Sequence, residues 1–92
     1  KYAVGVSAVP IVSLLAQVCK FFDGIGVLMT RGLVDVGLVD DLFHTEVTRL
    51  WEKVKPIAEG RRKELNQPTY LQSFEYLYNE MKKREQQLAS DA

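Results

Sequence analysis

Apolar residues recur at helical spacing along nearly the whole chain, and the stretch 45–66 carries the pattern most clearly. Val47, Leu50, Trp51, Val54, Ile57 and Ala58 stand three and four positions apart, which places them on one face of a 3.6-residue helix. Thr45 supplies a cap for that helix. Pro56 removes the hydrogen bond that an N–H there would make to the Glu52 carbonyl. Because the apolar register continues from Val54 to Ile57 and Ala58, a kink near Pro56 is expected, not a break.

The preceding segments add two more apolar faces. Residues 1–9 read as a loose lead, and a helix over 10–31 is expected to open at Pro10, whose fixed φ suits a first turn, with Ser7 or Val9 at the cap. Its stripe takes in Ile11, Leu14, Leu15, Val18, Phe21, Phe22, Ile25, Leu28 and Met29, leaving Ser13, Gln17, Lys20 and Arg31 on the remaining strip. Gly24 and Gly26 each cost a helix roughly 1 kcal/mol relative to alanine. Such glycines point to close approach of another backbone or to an early end, and Gly32 suits the C-terminal cap. A short helix over 35–43 follows, capped by Asp35 and burying Leu38, Val39, Leu42 and Phe43, with a bend at His44 to Glu46.

A last helix over 68–88 shows Tyr70, Leu71, Phe74, Leu77, Tyr78, Met81 and Leu88 on one face, and 89–92 is a frayed tail. The pattern thus predicts one all-α domain over 1–92, a small helical bundle of three main helices plus one short helix, with antiparallel neighbours. Its expected core is Trp51 with Leu50, Val54, Phe74 and Leu77.

Composition narrows the function more than the fold. The 92 residues carry 12 lysines and arginines against 12 aspartates and glutamates, so no net field draws the chain to nucleic acid or anionic lipid. Locally the balance differs: residues 35–46 hold four acids and no base, and residues 47–65 hold six bases against three acids. The one cysteine, Cys19, lies in an apolar run and reads as a buried thiol in a reducing compartment. Residues 2–19 are uncharged, eighteen in all, at the lower edge of what spans a bilayer. Gly5, Ser7, Pro10, Ser13 and Gln17 interrupt that run, and Lys20 and Asp23 follow it. Contact with a membrane is therefore expected only through a segment outside this chain, and a start at Lys1 reads as a fragment of something longer.

The combination FFDGIGVLMTRGLVDVGLVDDLF, then Trp51, Lys55-Pro56, Arg61 or Arg62, and FEYLYNEMKKRE resembles a prokaryotic family of unknown function. Its members are short helical proteins, often with a membrane helix upstream, bearing FFE-x-x-G-x-L-x-x-x-G-L-I-D, a single tryptophan and FEYLY. The resemblance covers about Phe21 to Glu85 and departs at Asp23, where glutamate is usual, and at His44, where glycine is common. It implies a helical fold and a membrane-proximal cytoplasmic setting, and it transfers no catalytic residue, cofactor or partner.

Candidate chemistry is sparse. Asp40 and His44 share a helical face, but two ligands do not complete a metal site. No serine, cysteine or glycine-rich loop stands at a spacing that would make the lone histidine catalytic, so an enzyme, a metal and a cofactor are not expected. Arg61, Arg62 and Lys63 alternate with glutamates, as solvated helix faces do, so a nucleic-acid-binding helical module using that basic end is the alternative reading. The leading one is protein interaction. Helix one is more apolar than a partner-free domain requires, and Leu14, Val18, Phe21 and Ile25 are its candidate contact residues, toward a second copy or another protein.

Overall fold

The computed structural model describes the backbone of residues 2–91 and the side chains of residues 13–90. Three helices follow one another, α1 (Tyr2–Thr30), α2 (Val36–Glu64) and α3 (Gln72–Asp91), and the described residues include no strand. α1 is helical from Tyr2, so residues 2–9 do not form a loose lead. Pro10 lies inside the helix, where it removes one hydrogen bond without ending it. Ser7, Val9 and Ile11 fall outside the residues whose side chains are described.

α1 ends where its glycine permits. Gly32 takes φ +74, its N–H donates to the Met29 carbonyl at 3.0 Å, and the Leu33 N–H reaches back to the Leu28 carbonyl at 2.9 Å. These two bonds satisfy carbonyls that the last helical turn leaves free. Asp35 then opens α2, with its Oδ2 accepting from the Leu38 N–H at 3.2 Å.

The segment over 35–43 is not counted as a separate helix: it is joined to the rest of α2, but Phe43 leaves helical dihedrals, with φ −134 and ψ 18, so α2 is two helical stretches meeting at a kink there. Local bonds carry the chain across it. The Thr48 hydroxyl donates to the His44 carbonyl at 2.9 Å, and Asp40 pairs with His44 at 2.6 Å, which braces the chain on both sides of the kink. Pro56 falls within α2, and the departure from helical dihedrals lies at Phe43, not near Pro56.

α3 begins at Gln72, four residues later than the proline at 68 suggests. Leu71 sits in the left-handed region at φ +54, which no helix can include, and Pro68 to Leu71 form turns instead. Tyr70 and Leu71 therefore precede the helix, though both still pack against the core. At the other end the helix runs on to Asp91, so residues 89 and 90 belong to it.

α3 occupies the middle of the bundle, with α1 on one side and α2 on the other. Trp51, Phe74, Leu77, Met81 and Val47 are the largest fully buried side chains, joined by Cys19, Phe22, Val39, Val54 and Ala58. Leu50 is only half-buried at the edge of this cluster. Aromatic rings form its spine: Trp51 meets Phe74 edge to face at 5.1 Å, and Phe74 meets Phe22 at 5.6 Å.

Candidate functional site

Two adjacent stripes run down α1, and the bundle buries mainly one of them, although its Leu15 is exposed and Ile25 of the other packs partly against the core. The inner stripe is Leu15, Cys19, Phe22, Gly26 and Met29, spaced alternately by four and three residues. Cys19, Phe22 and Gly26 are buried. The outer stripe, Leu14, Val18, Phe21, Ile25 and Leu28, repeats the same spacing about 100° around the helix. Of these, Ile25 alone packs partly against the core; Leu14 is 57% exposed, Phe21 53%, and Val18 and Leu28 are also exposed. An apolar seam with the four-three alternation is what a helix offers to another helix.

The inner stripe is fixed by a polar joint. Asp23 Oδ1 accepts from the Phe74 N–H at 2.9 Å, so a carboxylate on α1 caps the first turn of α3. Gly26, three residues on, lets the Ser73 backbone approach closely: a Cβ there would lie 2.6 Å from the Ser73 carbonyl carbon and nearer still to its oxygen. Asp23 and Gly26 thus explain each other. Close approach of another backbone was one of the two readings the glycines offered, and it holds at Gly26; the capping role of Asp23 was not readable, because its partner lies some fifty residues downstream.

Between α1 and α2 lies an open groove. Its floor is Phe22 and Phe43, whose rings meet at 5.6 Å, and Phe21 stands edge-on to Phe43 at 6.0 Å. Val18 and Phe21 form one bank; Leu42, Glu46, Arg49 and Lys53 form the other. The contact residues Leu14, Val18, Phe21 and Ile25 are therefore not scattered, since two of them line this groove and Leu14 lies one turn beyond Val18.

The remaining polar groups hold the fold together. Asp40 joins His44 at 2.6 Å and accepts from Arg84 Nε at 3.0 Å, and His44 Nε2 lies 3.4 Å from Glu85. This chain ties the start of α2 to the end of α3. Among the described residues no group of three or more His, Cys, Asp or Glu is arranged to hold a metal. Arg62 leaves the basic run for the interior side of the domain, donating to the Tyr70 carbonyl at 2.8 Å and to Glu75 at 3.0 Å. Arg61 and Lys63 stay exposed. The Tyr78 hydroxyl donates to Glu52 at 2.8 Å, and Tyr76 faces solvent. Burial, together with that Glu52 bond, pushes the Tyr78 phenol up.

Burial also pushes the Cys19 thiol above its ordinary value, so it stays protonated at neutral pH. A thiol reagent is expected to label Cys19 slowly in the native protein and fast after denaturation in urea. Equal rates in the two states would mean that α2 and the turn before α3 do not cover it.

By length and composition the window Ser13–Thr30 could cross a bilayer, with mean hydropathy 1.3 and 17% of it buried. Its inner stripe already serves the core, and Asp23 within it is bonded to α3. These contacts fix one side of the window, and most of it is exposed.

The sequence profile of a domain of unknown function, DUF4760, matches residues 8–81. The chain belongs to the DUF4760 family. The match takes in the Asp23 and Gly26 joint, Asp35, Trp51 and the Phe74 to Met81 face, which are the positions that assemble the bundle. No curated protein and no solved structure matches the chain.

Proposed function

We propose that this DUF4760 domain is a helical protein-interaction module whose contact element is α1, and that it associates with a second copy of itself. The observation that carries this reading is the outer stripe of α1, an apolar seam with coiled-coil spacing that the bundle leaves in water.

The setting that fits is cytoplasmic, with the domain held near the inner face of a membrane by a segment outside this chain. A protonated, covered Cys19 and a balanced charge suit such a place. The rival nucleic-acid reading has less support, since Arg62 is committed to Glu75 and the Tyr70 carbonyl.

Sedimentation equilibrium over micromolar concentrations tests the proposal. The wild-type mass is expected to rise toward twice the monomer, while Leu14→Lys with Val18→Lys stays monomeric at unchanged helix content. Both positions are exposed, so the double variant should fold. A wild type that remains monomeric throughout would overturn the reading.

A further inference from the structure

We infer that the groove between α1 and α2 is the dimer surface, closed by the same groove of a second copy in an antiparallel, two-fold arrangement that lays α2 against α2. This rests on the self-association reading and adds its geometry. The reasoning begins with direction. Phe21 lies against Phe43, whereas Leu15 and Cys19 share a pocket with Val54 and Ala58, so residue numbers rise along α1 as they fall along α2. The two helices are antiparallel walls of one trough.

The charges on its α2 bank are ordered. Leu42 is followed at helical spacing by Glu46, Arg49 and Lys53, so that one acid precedes two bases along the edge. None of the three charged residues enters an ion pair among the described residues, a condition they share with other exposed charges such as Lys55, Glu59 and Lys63. Unpaired charges on the rim of an apolar groove are free for a partner.

A two-fold contact between flat, two-helix faces can be made in two ways. With the axis along the helices, each α2 covers the partner's α1 seam, which carries no carboxylate. Arg49 and Lys53 would then lose water and gain no counter-charge, which is unfavourable. With the axis across the helices, α2 meets its copy head to tail. Glu46 of each chain then faces Arg49 and Lys53 of the other, and the seam of α1 meets itself. The order of acid and base is thus self-complementary in one arrangement only, and self-complementarity is what an isologous interface requires.

Charge exchange separates this inference from the reading beneath it. Glu46→Lys is one variant and Arg49→Glu with Lys53→Glu is the other; circular dichroism confirms the fold of each. Alone, each should self-associate at least tenfold more weakly than wild type, because like charges now oppose. Mixed in equal amounts, they should recover a dimer of wild-type affinity, since every opposed pair is again of opposite sign. If wild type dimerises but either variant does so equally well, or the mixture stays as weak as its parts, the antiparallel groove is wrong and self-association through α1 still stands. A monomeric wild type would remove both.

Discussion

Trp51→Ala is expected to destabilise the domain by about 3–5 kcal/mol. The tryptophan is 1% exposed and touches the elements that make the core: its ring meets Phe74 at 5.1 Å and Tyr78 at 6.4 Å on α3, and Val47 and Val54 flank it on α2. Alanine leaves a void in the middle of the bundle that neither neighbour can fill without leaving its own contacts. Stabilities of domains this small lie at the low end of roughly 5–15 kcal/mol, so the loss takes much of the total. Urea unfolding followed by circular dichroism measures it. In the wild type, Trp51 emission should shift to longer wavelength on unfolding, and a native spectrum like that of tryptophan in water would place the residue outside the core.

Two glycines only two residues apart, on nearly opposite sides of α1, should respond to alanine with opposite signs. At Gly24 nothing lies within 4 Å of an added Cβ, so Gly24→Ala is expected to stabilise the chain by about 0.5–1 kcal/mol through helix propensity. At Gly26 the same methyl would strike the Ser73 backbone, which cannot rotate aside as a side chain would. Relief requires α1 and α3 to separate, and that motion also stretches the Asp23 bond to the Phe74 N–H. Gly26→Ala is therefore expected to cost about 1–3 kcal/mol net of any propensity gain. The urea midpoints decide it: a Gly26→Ala protein as stable as wild type would mean that the helices do not approach so closely.

What could be read in the sequence was the local chemistry. Asp35 caps α2 and Gly32 ends α1 because each acts on residues within one turn of itself. The apolar spacing around Trp51 and Phe74 gave most of the core face for the same reason, but Ile57 and Leu88 on that spacing are exposed, as are Leu38 and Leu42, which were expected to be buried at the start of α2. Leu50 lies at that face's margin, and its half-burial depends on how far α1 stands from α2, which spacing does not encode. The start of α3 was hidden because its cap is Asp23, on another helix, and because Leu71 adopts a backbone conformation that leucine rarely takes. The kink at Phe43 was displaced from the expected bend because Thr48 and the Asp40–His44 pair hold the following turn helical. At the candidate surface, the apolar excess of helix one was visible in composition. The groove, and the row of Glu46, Arg49 and Lys53 on its bank, needed α1 and α2 to be placed side by side.

The bond between Asp23 and Phe74 also bears on the order in which the chain acquires structure. α2 carries its own cap, so its first turn can form as soon as residues 35–39 come together. α3 borrows its cap from fifty-one residues away, and a loop of that size must close before the bond exists. Residual helix in the unfolded chain should therefore favour the start of α2 over the start of α3. The last hydrogen bonds to appear during refolding should be those at Phe74, once α1 has docked. A single carboxylate thereby makes the two ends of the domain fold as one unit, and a chain that has lost α1 loses with it the place where α3 begins.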